Sequence, residues 1–189
     1  MTPEFSRTLR IDTLGPAPRR VEIAADEAER AALAARFGLI AIDRLTAAAE
    51  VSLSGETVLA RGSLEGSVVQ SCVATGDPVP ATVAEDFRIE FRPQPVARGA
   101  DEEVELGEAE LDVVFYDGAS VDLGEAVAET LSLALDPYPR SPKADEALRQ
   151  AGVKSEEEAG AESSPFAGLK NMLQPGPSDR RHTSRKTLR

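Results

Sequence analysis

Two runs of alternating residues stand out in the middle of the chain. From 58 to 68 the even positions are apolar or small, and from 79 to 91 most odd positions are apolar. A period of two predicts a half-buried strand in each run. Gly76-Asp77-Pro78 lies between the runs and has the composition of a turn. The pattern therefore predicts an antiparallel hairpin with one apolar face, and the parity places Cys72 on that face.

The same period predicts further strands on either side of this hairpin. A run from Leu45 to Leu53 alternates and reaches the hairpin through Ser54-Gly55-Glu56, so three strands joined by short turns form a meander. Pro93-Gln94-Pro95 ends it, because proline cannot donate to a strand ladder. Shorter runs predict three more strands, at 5–11, 21–23 and 111–115.

Two segments have the composition and period of helices. Glu27 to Arg36 is rich in alanine, and Gly38 is placed to end it. Asp122 begins the second helix, with Glu125 three residues later as in a capping box. Its apolar positions recur at spacings of three and four, so we expect this helix to cover the sheet. The predicted fold class is α+β: an antiparallel β-sheet or partial barrel, built as a meander, packed against one or two helices, with a disordered C-terminal tail.

Composition divides the chain into three parts. We predict a single α+β domain over 1–140, a flexible acidic linker over 141–164, and a short helix with a basic disordered tail over 165–189. Residues 165–189 carry six Lys or Arg and one Asp, whereas the remainder carries 15 basic and 32 acidic residues. Because an acidic body repels phosphate backbones, the body is predicted to be a poor direct binder of nucleic acid, and the tail has the opposite preference.

Membrane and secretory segments are not expected. No apolar run approaches the length needed to cross a bilayer, and the amino terminus has no basic segment followed by an apolar one. The single cysteine cannot form an internal disulfide, which agrees with a reducing compartment. We therefore expect a cytoplasmic protein with no membrane partner.

The sequence offers little for catalysis. The one histidine, His182, lies among arginines near the terminus, and no glycine-rich phosphate loop or Gly-x-Ser-x-Gly motif occurs. A hydrolase built on two carboxylates stays an alternative, but no acidic pair stands out among so many. We therefore expect no enzyme, no catalytic residue and no small-molecule substrate.

Two features leave alternatives open. Seven acidic side chains lie between Asp101 and Asp112, and we interpret them as a solvated loop. The alternative is a metal site or an acidic surface for a basic partner, although the spacing fits no calcium loop. Cys72 is the one candidate for metal binding or redox sensing. A lone cysteine is more often a small buried hydrophobic residue, which is the interpretation we place first.

Three segments resemble a known family. The segment 71–80, with the strand that reaches Phe91, resembles the central signature of the YceD family, the large ribosomal RNA subunit accumulation proteins. Residues 122–139 resemble the second signature, and Pro165-Phe166-Ala167-Gly168-Leu169 is similar to the closing segment. The resemblance implies a bacterial cytoplasmic factor needed for 23S rRNA to accumulate, and hence a role in large ribosomal subunit assembly. It carries over no catalytic residues.

The resemblance also bears on cofactors and partners. Many family members have a second cysteine three residues after the first, a pair suited to zinc. Here Thr75 occupies that second position, and a hydroxyl does not replace a thiolate, so we expect no zinc. For an acidic body, the expected partner is a basic ribosomal protein or the pre-ribosomal large subunit, with rRNA contacted through the tail. The interaction candidates are Cys72, Asp77, Pro78, Arg180, Arg181, Arg185 and Lys186.

Overall fold

The structure is a computed structural model that describes residues 3–95 and 112–154. The chain divides into two units, Met1–Ala144 and Asp145–Arg189. The elements follow in this order: β1 (Thr8–Arg10), β2 (Arg19–Ala24), α1 (Glu27–Phe37), β3 (Ala41–Ser54), β4 (Thr57–Ser71), β5 (Pro78–Pro93), β6 (Val113–Tyr116), β7 (Ser120–Asp122), α2 (Leu123–Ala134) and α3 (Ala144–Gln150).

The predicted meander is confirmed. β2 to β5 are antiparallel neighbours in a five-stranded sheet of order β2-β3-β4-β5-β6. The β4–β5 pairing runs without a register shift from Val58 opposite Phe91 to Ser71 opposite Pro78. The predicted inward positions of the hairpin are buried at Val58, Ala60, Leu64, Val68, Cys72, Val83, Phe87, Ile89 and Phe91. Burial of alternate residues gives the hairpin the single apolar face that its sequence predicts.

Two strand predictions need correction. β6 joins the sheet as predicted, but it pairs parallel to β5, from Glu90 opposite Val113 to Pro93 opposite Tyr116. The strand predicted over 5–11 is wrong in extent, because β1 has three residues and a 3₁₀ turn follows it at Ile11–Thr13. β1 pairs with β7 in a separate two-stranded sheet. Phe5 precedes β1 and is fully buried, so its apolar character reflects the core and not a strand face.

Both predicted helices form, but the predicted capping box of the second helix forms only in half. Asp26 and Glu29 close a capping box on α1, and Gly38 ends the helix. Asp122 caps α2 by accepting from the N–H groups of Gly124 and Glu125 at 3.0 and 3.2 Å. The reciprocal half of the predicted box is wrong. The Glu125 carboxylate instead accepts from the Arg36 guanidinium at 2.7 and 3.0 Å, a charged donor that binds a carboxylate more strongly than a neutral N–H.

α2 covers the apolar face of the sheet, as predicted. Leu123, Val127 and Leu131 are fully or almost fully buried, and each burial contributes roughly 1.5–3 kcal/mol. Leu131 packs over Gly66 of β4, where an added Cβ would lie 3.1 Å from Leu131 Cδ1. The glycine therefore lets the helix approach the strand closely.

Several predictions fall on residues outside the described ranges. They concern the acidic segment up to residue 111, the short helix from Pro165, and the basic tail with Arg180, Arg181, Arg185 and Lys186. α3 lies within the segment predicted as a linker. The division into domain, linker and tail stays a prediction. In the parts of the chain that the structure describes, no helix is both long and apolar enough to span a bilayer.

Candidate functional site

The loop between β4 and β5 is built around Cys72. The Cys72 N–H donates to the Asp77 carbonyl at 2.8 Å, and the Gly76 N–H donates to the Cys72 carbonyl at 2.9 Å. Gly76 has a φ of 73°, in the left-handed region that glycine occupies without steric cost. The turn residues thus fold the loop back on the cysteine and place its side chain on the apolar side of the hairpin.

This loop is docked on the segment that follows α2. The Val73 N–H donates to the Pro139 carbonyl at 2.9 Å, and the Gln70 side chain donates to the Asp136 carbonyl at 2.8 Å. Gln70 is 6% exposed, so this bond supplies a partner for its buried amide. We call the loop 72–77 together with the segment 136–141 the Cys72 joint.

Ser141 is the centre of the polar contacts in the Cys72 joint. Its N–H donates to the Cys72 sulfur at 3.3 Å, and its Oγ lies 3.2 Å from Thr75 Oγ1. The same hydroxyl reaches the Asp77 carboxylate at 3.5 Å. Ser141 is 7% and Cys72 3% exposed. The joint is therefore a closed set of mutual hydrogen bonds.

These contacts change the acidity of the thiol. The Ser141 N–H, and after it the Thr75 hydroxyl, donate to the sulfur and lower the pKa of Cys72 from 9.0 to about 6, against the opposing effect of desolvation. Donors of this kind favour the thiolate over the thiol. The hydrogen bonds to the sulfur therefore outweigh the effect of burial, which favours the neutral thiol.

Metal binding by the thiolate would require further ligand side chains near the sulfur. No His, Cys, Asp or Glu group of three or more that could hold a metal occurs within 3–95 and 112–154. The residues present do not fit a zinc site. The Thr75 hydroxyl is engaged with Ser141 and with the Asp77 N–H at 3.3 Å, and a neutral hydroxyl is a poor zinc ligand compared with a thiolate.

The structure brings together three of the predicted interaction residues. Cys72 and Asp77 lie in the β4–β5 connection and Pro78 begins β5; Cys72 is buried, Asp77 half-buried and Pro78 exposed. The four predicted tail residues lie outside the described ranges. The sequence interpretation missed Ser141 and Gln70, and it took Asp136-Pro137-Tyr138-Pro139 as the end of a helix and as part of the second family signature. Nothing in the local pattern indicated that this segment returns to the cysteine.

The joint also exposes apolar side chains. Val73 is 56% exposed and Tyr138 is 72% exposed, and the backbone bond from Val73 to Pro139 brings their two segments together. A contiguous exposed apolar patch is typical of protein interaction surfaces, and these two side chains are candidates for one.

A family model, described as large ribosomal RNA subunit accumulation protein YceD, matches residues 60–173. The chain belongs to the YceD family. The matched region contains the Cys72 joint, β5 and α2, the same segments whose sequences resemble the family. Membership connects the chain with the ribosome at the level of the family. No curated protein and no solved structure matches the chain.

Proposed function

We propose that this YceD-family chain is a non-enzymatic cytoplasmic factor that supports 23S rRNA accumulation by binding a basic ribosomal protein during large subunit assembly. The observation that carries the proposal is the family match, which spans the Cys72 joint. The joint has its polar groups bonded to one another and presents Val73 and Tyr138 outward. Such an arrangement suits a contact surface better than a reaction site.

Charge supports a basic protein as the direct partner. Outside residues 165–189 the chain carries 15 basic and 32 acidic residues. This excess of negative charge attracts cationic surfaces and repels phosphates. The six Lys and Arg of residues 165–189 favour phosphate contacts instead. In this proposal the body holds a ribosomal protein, while Arg180, Arg181, Arg185 and Lys186 reach rRNA. No bound metal takes part.

A binding experiment tests the proposal. The full chain and a form ending at residue 174 are each presented with single purified proteins of the large subunit and with 23S rRNA. We expect at least one basic protein to bind both forms equally, and RNA to be retained only by the full chain, with strong salt dependence. Failure of every protein to bind, or salt-sensitive RNA binding by the shortened form, would contradict the proposal.

Redox or metal chemistry at Cys72 is the second candidate. The lowered pKa of about 6 favours it because the thiolate is the reactive form. Burial of the side chain to 3% exposure works against it, because an oxidant or metal must reach the sulfur. If Cys72→Ser maintains the 23S level of a cell that depends on this protein, this candidate fails. Stoichiometric metal in the purified protein would support it.

A further inference from the structure

One long strand of the sheet is paired along only part of its outer edge. β5 has 16 residues, but β6 pairs with its last four, Glu90 to Pro93. Among the described strands none lies beside β5 between Pro78 and Arg88 on the side away from β4. An unpaired strand edge exposes backbone donors and acceptors that can bind a further strand.

The hydrogen bonds identify which residues of β5 face this edge. The Glu90 N–H donates to the Asp112 carbonyl at 3.0 Å, and the Gln94 N–H donates to the Tyr116 carbonyl at 2.9 Å, so even residues turn toward β6. The Asp77 carbonyl accepts from Cys72, so odd residues turn toward β4. Because the β4–β5 register has no shift, this alternation holds along the strand. The outward backbone groups belong to Thr82, Ala84, Asp86 and Arg88.

These four residues form a bounded stretch. Pro78 and Pro80 have the same parity, but proline has no N–H, so the beginning of the edge cannot donate. β6 covers the other end from Glu90 onward. In the described part of the chain, no backbone hydrogen bond reaches the outward groups of Thr82, Ala84 or Asp86. The open edge, 82–88, is thus about 20 Å long.

We propose that the open edge 82–88 of β5 binds an extended segment of a basic protein partner as an added antiparallel or parallel strand. The backbone groups would supply affinity, and side chains beside the edge would supply selectivity. This inference rests on the proposed function, since the partner is the basic protein that the acidic body attracts.

The charges around the open edge favour a basic occupant. Glu85, Asp86 and Asp112 are exposed there. The nearby cations are Arg88, which donates to Glu90 at 3.5 Å, and Arg61, which lies opposite Arg88 on β4. A second copy paired through the same edge would place these carboxylates opposite one another, which destabilises a strand pair. The segment between Asp101 and Asp112, with seven acidic side chains, is disfavoured by the same repulsion.

A pair of variants at Ala84 tests the inference. Ala84→Pro removes an N–H that faces the open edge and leaves the β4–β5 ladder intact, as Pro78 and Pro80 already do at the same parity. Ala84→Val keeps the N–H and is the matched control. With each large-subunit protein that binds the wild type, we expect Ala84→Pro to weaken binding at least about tenfold and Ala84→Val to change it less than about twofold.

A charge variant keeps the test decisive if Ala84→Pro does not fold. The double substitution Glu85→Lys and Asp86→Lys leaves every N–H in place and is expected to weaken the same binding, with a smaller salt dependence than the wild type shows. Unchanged binding by this variant, or by folded Ala84→Pro, would overturn the inference and leave the proposed function standing. Binding of no protein to the wild type would overturn both. If the wild type forms a dimer that Ala84→Pro abolishes, the edge pairs two copies of this chain. That result would overturn the proposal of a basic partner.

Discussion

The two edges of the five-stranded sheet differ in how their outward-facing groups are bonded. On one edge, β2 has six residues, and its backbone turns Arg20, Glu22 and Ala24 outward. The Arg7 guanidinium donates to the Ala24 carbonyl at 2.7 Å, and Arg20 bonds Glu22 at 2.7 Å. On the other edge, no described residue bonds the outward backbone groups of Thr82, Ala84 and Asp86 of β5.

We infer from the difference that the β2 edge serves the stability of the fold, whereas the β5 edge serves binding, as proposed above. Arg7 also bonds both carboxylate oxygens of Glu29, at 2.6 and 2.8 Å, so the β2 edge is fastened to α1. A short, charged and bonded edge resists the addition of another strand. The β5 edge has proline protection only at its first residues, which leaves the open edge 82–88 accessible.

Removing one arginine at each edge should give the largest contrast in stability. Arg7→Met removes partly buried charged hydrogen bonds and is expected to lower the free energy of unfolding by about 2 kcal/mol. Arg88→Met, at the exposed edge, should change it by less than about 0.5 kcal/mol. Urea denaturation of both variants at one pH measures the contrast. Equal losses would mean that the two edges do not differ as described.

A pH-dependent effect should appear at the Cys72 joint, which precedes the proline end of the β5 edge. Because the pKa of Cys72 is lowered to about 6 in the folded protein, its ionisation stabilises the fold fully above the unfolded pKa near 9.0, and this contribution is lost as the pH falls through 6. The stability difference between the wild type and Cys72→Ser should therefore grow as the pH rises from 6 to 9.

Urea denaturation in the presence of a reductant measures this difference at several pH values. The serine variant is the reference for the wild type, because a serine hydroxyl does not titrate in this range. A difference that stays constant from pH 6 to 9 would show that the Ser141 and Thr75 donors do not stabilise the thiolate.

Local patterns predicted much of this fold. The alternation in 58–68 and 79–91 gave the hairpin, its inward face and the burial of Cys72, because a strand turns successive side chains to opposite faces. The Asp122 cap was likewise readable, since the cap and the N–H groups it accepts from are adjacent in sequence.

Contacts between distant segments were not readable. The sequence of the four residues of β6 does not indicate that the strand runs parallel to β5, since a period of two is the same in either direction. Glu125 turns to Arg36, 89 positions away, and Ser141 reaches Cys72, 69 positions away. The two prolines that precede the open edge are visible in the sequence. That they remove N–H groups from an unpaired edge could be recognised only from the position of β5 in the sheet.

Amide hydrogen exchange along β5 tests the central claim most directly. In the free protein, the amides of Thr82, Ala84 and Asp86 should exchange rapidly, while those of Val83, Glu85 and Phe87, bonded to β4, should exchange slowly. Adding the basic ribosomal protein that binds should slow the even-numbered set alone. Uniformly slow exchange in the free protein, or an even-numbered set that stays fast in the complex, would contradict the account.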